Sequence, residues 1–386
     1  MGIQPLANNY LSYKQLNYNE KKYKLKVCIN PVTKLVSIYK PISSKLMFNN
    51  KYPYRSSMSK TMIKSFIDLS ILIKKKFNPS KILEIGSNDG SFIKNFPKKQ
   101  TIGIEPCANV EKITKKMGYN TYSNYWNDRT AKKILKENGR VDLVYSANTI
   151  SHIEDLDNVL KSINIILKDD GILIIEDPSL LECLQKNTYD QFYNEHIYVF
   201  SLIGLENILD KNNLEIFNIQ NLKIHGGSNR YFIKKKLNKI KISKNVKIYK
   251  QKEINYGLNK ISTYKAFAKR VKNSKKKLKE IFLKINLKNK KIIGYGVTAK
   301  SSTILNYCKI DGKLISYFVD TTKDKQNKYT PGTKIPIIKY NGFIEKNVDY
   351  IFLGAWNFKE EIFKKEKKFI KRGGKFITHT PIPRVI

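Results

Sequence analysis

A phenol, a carboxylate and an imidazole stand within four residues of one another at Tyr193, Glu195 and His196. An imidazole titrates near neutral pH and can accept a proton. A neighbouring carboxylate can orient or tune it, and a phenol or second imidazole can donate to a forming oxyanion. Together these groups can remove a proton α to a carbonyl and stabilise the resulting enolate. Four histidines occur in the chain, and His152, His196 and His225 all fall in segments predicted at the C-terminal edge of one parallel sheet. Open α/β sheets bind their ligands at that edge. His225 precedes Gly226-Gly227-Ser228, a turn that permits close backbone approach.

A second stretch lies about a hundred residues upstream, Ile82-Leu83-Glu84-Ile85-Gly86-Ser87-Asn88-Asp89-Gly90. It reads as the end of a strand opening into a helix, with two glycines that let the backbone turn sharply. Its Gly-x-x-x-Gly spacing differs from the Gly-x-Gly-x-x-Gly that seats a pyrophosphate on a helix N-terminus. S-adenosylmethionine (SAM) has no phosphate, and its amino-acid portion and adenosine suit the looser loop. Glu84, Gly86, Ser87, Asn88, Asp89 and Gly90 are therefore assigned to the cofactor. Glu105 ends the next strand, where a carboxylate can accept both ribose hydroxyls, and Pro106 follows it. Asn148, just after the run Val141–Ser146, is expected to line the loop nearest the methyl group. A methyl donor beside a base points to carbon methylation. Oxygen and nitrogen already carry the lone pair, whereas carbon needs the enolate.

The elements that position these groups are legible as α/β alternation. Ile82–Ile85, Thr101–Ile104, Val141–Ser146 and Ile172–Ile175 are short apolar runs of the kind that form interior parallel strands. Between them Ala108–Met117, Ala131–Asn138 and Leu156–Leu167 have helical periodicity. Leu214–Ile219 and Asn229–Ile233 are expected to close the sheet as a terminal pair. Upstream, Tyr23–Val27 and Lys34–Tyr39 look strand-like and Thr61–Lys76 helical. Downstream, Gln251–Ile285 reads as one or two long Lys-rich helices. A second α/β unit follows, with strands at Lys291–Gly294, Ile315–Asp320, Tyr350–Leu353 and Phe376–Thr378, and helices at Thr298–Cys308 and Glu360–Lys371. The expected fold is an α/β chain with an irregular region and leading helix over 1–70 and a class I SAM-dependent, Rossmann-like methyltransferase domain over 71–236. A second Rossmann-like domain would occupy 237–386.

Composition narrows the alternatives. The net charge of +41 comes from 66 Lys and only seven Arg. Base-reading surfaces favour the planar fork of Arg, so Lys spread evenly with Asn and Ile is read as coding bias, and a nucleic-acid partner as unlikely. No apolar run reaches the roughly 18–20 residues of a membrane helix, and the N-terminus lacks a basic-then-apolar leader. A cytoplasmic protein without a membrane partner is expected. Cys28, Cys107, Cys183 and Cys308 are scattered, with no zinc-ligand spacing. Oligomeric state leaves no mark in the sequence.

The ordered motifs resemble the sugar C-methyltransferases, which use SAM to methylate C3 of nucleotide-linked 4-keto deoxysugars. The resemblance runs nearly end to end. It takes in Gln4-Pro5-Leu6-Ala7-Asn8, Tyr52-Pro53-Tyr54-Arg55-Ser56-Ser57, the glycine loop, Asn148 with His152, Asp190–His196, and His225–Arg230. It continues through Gly294-Tyr295-Gly296 with Ala299-Lys300, Leu305–Cys308 and Lys328–Thr333. It implies that Tyr193, Glu195 and His196 form the catalytic centre, supported by His152 and Tyr54. It also implies a nucleotide-sugar partner met by His225, Lys300, Asn306, Lys328 and Tyr329, with the two lysines on phosphate. The family's N-terminal region binds zinc through two Cys-x-x-Cys pairs. Here the first is missing and the second reads Cys28-Ile29-Asn30-Pro31. One thiolate does not hold a structural zinc, so no metal is expected. The departure bears on the order of residues 1–45 and on the placement of Tyr54.

Three rival readings have sequence features of their own. Gly294-Tyr295-Gly296-Val297-Thr298-Ala299 after a strand, with Asp320 ending the next, has the layout of a dinucleotide fingerprint and of an NAD(P)-dependent oxidoreductase. A Lys-rich nucleic-acid-binding protein with a vestigial SAM fold would bind DNA in a salt-sensitive way and bind no SAM. An O- or N-methyltransferase would survive loss of His196 far better than a C-methyltransferase.

Overall fold

The computed structural model describes the whole chain, Met1–Ile386. Its N-terminal region is built from short elements that cannot stand alone. β1 (Gly2–Pro5) pairs antiparallel with β2 (Lys22–Leu25), while β3 (Val27–Ile29) pairs with β4 (Val36–Ile38). β4 also pairs with Tyr198–Val199, just past the acid–base cluster. A short helix, α1 (Ser44–Met47), precedes the Tyr52–Ser57 segment. Cys28 lies on β3, the other three cysteines are buried elsewhere, and no His, Cys, Asp and Glu side chains gather as a metal set. The residues present do not fit the zinc that the resemblance implies for this region. Strand pairing with the larger units holds residues 1–45 instead.

The first large unit opens with α2 (Lys60–Lys76), capped by the Ser59 side chain. Its buried stripe of Met62, Phe66, Leu69 and Ile73 packs under the sheet. Strands β5 (Ile82–Ile85), β6 (Thr101–Ile104), β7 (Asn120–Tyr122), β8 (Val141–Ala147) and β9 (Leu167–Pro178) are parallel. Helices α3 (Ala108–Lys116), α4 (Asp128–Asn138) and α5 (Leu156–Ile166) connect them. After α6 (Leu180–Lys186), β10 (Tyr198–Val199) and α7 (Leu202–Asp210), β11 (Leu214–Leu222) and β12 (Ser228–Lys235) close the sheet. The order is β11-β12-β9-β8-β5-β6-β7, with β12 antiparallel to both its neighbours. This is the class I methyltransferase arrangement, and strand order reverses between β5 and β8. The strand β7 escaped the sequence reading because three residues carry no periodicity.

The stretch expected as one or two Lys-rich helices over Gln251–Ile285 is two, α8 (Lys244–Tyr256), which starts seven residues earlier, and α9 (Ile261–Asn286), separated at Gly257, whose φ of 89° ends the first. α8 packs on β11 and α7, where the Glu253 carboxylate accepts from the amides of Leu202 and Ile203 at 2.9 and 3.0 Å. α8 therefore buries its apolar side on the first sheet although it lies beyond the boundary expected at 236. Likewise α2 runs across the boundary at 70.

The second unit has parallel strands β13 (Ile292–Tyr295), β14 (Phe318–Asp320), β16 (Pro336–Lys339), β17 (Tyr350–Leu353) and β18 (Lys375–Thr378). Antiparallel β15 (Lys328–Tyr329) and β19 (Arg384–Val385) stand at the two edges. α10 (Ala299–Cys308) follows β13, and the expected final helix is split into α11 (Lys359–Lys365) and α12 (Lys367–Lys371). Strand order reverses between β13 and β17. One hydrophobic core runs through both units, and the C-terminal edges of the two sheets open onto the same cleft. Each edge is the ligand-binding side of its own sheet.

Across β9 and β12, Arg230 Nε donates to Glu176 Oε1 at 2.6 Å, both groups being almost wholly buried. Arg230 also reaches Gln220 and Ser65, tying α2 to the sheet. Arg230→Met leaves an unpaired buried carboxylate, a change that costs about 3–5 kcal/mol. Denaturant unfolding is expected to show that loss, with most of it recovered in Arg230→Met/Glu176→Met.

Candidate active site

The cleft between the two sheet edges measures about 540 Å³, within the usual range for small-molecule sites. On the β5 side its wall is the glycine loop. Gly86 has a φ of 76°, and a Cβ there would lie 2.1 Å from Thr149 Oγ1, so only glycine fits. Glu84, Gly86, Asn88, Glu105, Pro106 and Asn148 line the cleft. Glu84 is 4% exposed, and its Oε2 has no partner. Burial, then the charges of Asp89 and Glu105, raise its carboxyl well above the ordinary range. The Glu105 carboxylate accepts the amides of Asn88 (2.9 Å) and Cys107 (2.8 Å), one on each oxygen, which leaves a lone pair on each for a ligand hydroxyl. An orphaned carboxylate oxygen, a loop closed to any Cβ and a pre-oriented acidic pair fit SAM. Glu84 would meet the ammonium group and Glu105 the ribose.

Ser87, Asp89 and Gly90 do not reach the cleft. The Ser87 hydroxyl lies under Gly103, and Gly90 backs onto Thr114 and Met117. Asp89 accepts from Ser91 Oγ (2.7 Å) and from the Ser57 amide (3.0 Å), and Asn88 Oδ1 accepts from the Ser56 amide (2.9 Å). The loop's polar side chains thus anchor the Tyr52–Ser57 segment, and this clamp places Tyr54 on the cleft wall. Tyr54 keeps 38% of its surface open, while the surrounding walls push its hydroxyl up to about 12.

Opposite the glycine loop, Tyr193, Glu195, His196, His152 and His225 come together. His196 Nδ1 lies 2.8 Å from the Gln191 carbonyl and must carry the proton, because a carbonyl only accepts. Nε2 is then the basic nitrogen, and it accepts from the Tyr193 hydroxyl at 2.6 Å. The His152 ring stacks on that of His196 with centroids 5.1 Å apart, and Phe48 stacks on its far side at 5.3 Å. Burial, then His152 and Lys300, hold the His196 imidazole well below its ordinary value. Burial alone takes His152 down to about 3, and burial with Lys300 takes His225 there as well. All three rings are neutral at pH 7. Glu195 is moved the other way: burial pushes it up to about 7, against hydrogen bonds from Asn8 and Tyr52.

The second unit contributes Lys300, which is 8% exposed, donates to the His225 carbonyl at 3.0 Å, and lies 5.6 Å over the Trp356 ring. Burial lowers its ammonium, with Asp190 opposing. Asp320, the dinucleotide-fingerprint acid, repeats the Glu105 pattern by accepting the amides of Val297 and Thr322 at 2.7 Å each. Asn306, Lys328 and Tyr329 are not in the cleft. Asn306 donates to the Ser302 and Pro331 carbonyls, and Tyr329 exchanges two backbone hydrogen bonds with Leu11. Lys328 is on the same edge strand. These motifs dock the N-terminal region instead of lining the substrate space.

The sequence reading missed Asn8 and Tyr52 as site residues. Asn8 Nδ2 donates to Glu195 Oε1 at 2.7 Å, and the Tyr52 hydroxyl to Oε2 at 3.2 Å. Both stand in the ordered motifs Gln4–Asn8 and Tyr52–Ser57. Their place in those motifs was the available signal.

Comparison with known proteins matches residues 54–219 to a methyltransferase domain and residues 223–383 to a C-methyltransferase C-terminal domain. The chain is 28% identical over 390 residues to the C-methyltransferase NovU of Streptomyces niveus, covering 100% of this chain and 93% of that protein. Among solved structures, a SAM-dependent methyltransferase of Thermotoga maritima, described as a possible histamine N-methyltransferase, is 21% identical. It covers 44% of this chain and 90% of its own, with a TM-score of 0.33. A SAM-dependent methyltransferase of Clostridium acetobutylicum is 16% identical, covers 45% and 91%, and has a TM-score of 0.35.

Gly86→Ala is expected to weaken SAM binding at least tenfold by calorimetry, since both the positive φ and the Thr149 contact oppose a methyl group. Thermal melting of the same protein should remain cooperative.

Proposed function

We propose that this chain is a SAM-dependent C-methyltransferase whose acceptor is a carbon α to the ketone of a nucleotide-activated keto-deoxysugar. The hydrogen-bonded series Gln191–His196–Tyr193, facing the glycine loop across one cleft, carries the reading. SAM, when bound, supplies an electrophilic methyl group. The protein's task is to make the carbon nucleophilic and to hold it dry. The Gln191 carbonyl keeps the proton on His196 Nδ1, so Nε2 presents a lone pair. His196 takes the α-proton, directly or through the Tyr193 hydroxyl, which passes its own proton to Nε2 as it accepts the substrate's. The neutral state of His196 suits a base at pH 7. The unpartnered Nε2 of His152 offers a donor or acceptor beside the reacting carbon. The β13–β14 edge and the buried Lys300 support placing the nucleotide portion on the second unit. NovU, similar over 93% of its length, supports carbon as the acceptor atom.

Glu195 supports a second reading as the base. Its carboxyl at about 7 is better matched to proton abstraction at neutral pH than a strongly depressed imidazole.

The test is turnover with SAM and a dTDP-4-keto-6-deoxy sugar in deuterated water, followed by mass spectrometry. The wild type is expected to gain a methyl group and exchange the proton α to the ketone. His196→Ala should lose both by about 10²–10⁴-fold, with SAM affinity unchanged. Exchange surviving in His196→Ala but lost in Glu195→Gln assigns the base to Glu195. A methyl group found on oxygen or nitrogen would refute carbon as the acceptor.

A further inference from the structure

Every polar donor to Glu195 comes from outside the unit that carries it. Oε1 receives the Asn8 amide and Oε2 the Tyr52 hydroxyl. Both belong to the N-terminal region, whose one cysteine is Cys28. The segment bearing Asn8 is wedged between the two units. Ala7 packs with Tyr193 of the catalytic segment and with Ala299 at the start of α10. Asn194 Nδ2 donates to the Pro5 carbonyl at 3.4 Å, and Leu11 pairs with Tyr329 on the edge of the second sheet.

We propose that Asn8, oriented by Tyr10, is a positioning residue of the catalytic centre that holds Glu195 as a fixed carboxylate. This rests on Glu195 belonging to that centre. The orientation follows from proton counting. The Tyr10 hydroxyl has one proton and two acceptors in reach, Asn8 Oδ1 at 3.4 Å and the Val297 carbonyl at 3.3 Å. The Val297 carbonyl already receives Lys325 Nζ at 2.6 Å, whereas Asn8 Oδ1 has no other donor, so donation to Asn8 leaves neither acceptor unmet. Oδ1 is thereby turned toward Tyr10 and the NH₂ toward Glu195. Reversing the amide would set two acceptors, Oδ1 and Oε1, against each other with no proton between them. Tyr10 itself is 8% exposed, with the Lys325 ammonium 5.5 Å from its ring. The catalytic carboxylate is therefore completed only when the N-terminal segment is docked on both units.

The electrostatic surroundings leave this arrangement without a substitute. Tyr52 and Tyr10 face Glu195 from the N-terminal region, Tyr193 from its own segment and the Cys107 thiol from the start of α3. The phenols and the thiol have all been pushed upward by burial, so they are neutral. His196, beside it, is neutral as well. With no cation among them, the two donors are what favours the charged form. A donor to a carboxylate lowers its pKa, so removing one raises it.

The experiment reads Glu195 directly and needs no sugar. Protein labelled with [δ-¹³C]glutamate is titrated by NMR, and Glu195→Gln assigns the resonance. The wild-type signal is expected to titrate near neutral pH. Asn8→Ala should move its midpoint upward by about one pH unit. Tyr10→Phe, which keeps the fold of the segment, should move it the same way by less. The acidic limb of the methylation pH profile should shift with it, while SAM affinity stays unchanged. Midpoints unmoved in both folded variants overturn the proposal and leave the segment a packing wedge. A shift in Asn8→Ala alone removes Tyr10 from it. Glu195→Gln that methylates and exchanges at wild-type rate refutes the catalytic reading of Glu195 without affecting the titration.

Discussion

A carboxylate 3% exposed, with no cation beside it, is the constraint on which this architecture turns. Glu195 pays for its burial with two hydrogen bonds, and neither donor is encoded within a hundred residues of it. Burying an ionised group demands that its lone pairs be met. Meeting them brings Asn8 and Tyr52 into the centre of the molecule, and those residues bring the rest of the N-terminal region. The short strands β1 to β4 make sense in that light. None is long enough to be stable alone, and each is held by what it delivers.

The neighbouring acid contrasts with it. Asp190, five residues upstream, is fully buried but receives Trp356 Nε1 at 2.5 Å and lies 3.2 Å from His379 Nε2. His379 lowers its carboxyl even though burial raises it. Both of those partners come from the second unit. The Asp190–His196 segment is thus tethered to the second unit at Asp190, to the turn before β12 at Gln191, whose side chain donates to the His225 carbonyl, and to the N-terminal region at Glu195. Three regions of the chain converge on seven residues. A segment so over-determined can hold three neutral histidine rings and a near-neutral carboxyl in one geometry. Such preorganisation is what electrostatic catalysis requires.

The two sheets solve a shared problem in a similar way. Each reverses strand order beside its first strand, follows that strand with a glycine of positive φ (Gly86 at 76°, Gly296 at 74°), and ends the next strand with an acid. Both acids, Glu105 and Asp320, use their two oxygens on backbone amides of the flanking loops. The acid rigidifies the loop before any ligand arrives. Placing two such edges face to face yields one cleft with a glycine loop and an amide-bound acid on each side, and the cluster of Tyr193, Glu195 and His196 lines the same cleft.

Local pattern was enough to read much of this. Parallel strands buried on both faces appear as continuous apolar runs, so β5, β6 and β8 could be placed within a residue or two. The glycine loop, Glu105 and the Tyr193–His196 cluster are contiguous chemistry that needs no partner to be recognised. The boundaries were harder, because whether α8 belongs to the first or second unit depends on which surface buries Val246 and Tyr249, not on its own periodicity. Asn8, Tyr10 and Tyr52 were harder still. Their roles are hydrogen bonds to residues up to 287 positions away, and a hydrogen bond between distant residues leaves no spacing in the chain. For the same reason Asp89 and Tyr329 were assigned to ligands when they dock the N-terminal region, and Asn306 when it ties α10 to the Pro331 turn. Residue type and order thus determined the fold class, the glycine loop and the contiguous Tyr193–His196 cluster. Only the tertiary structure decided which polar side chains face the ligand space and which are spent on one another, because that depends on where desolvated partners meet in space.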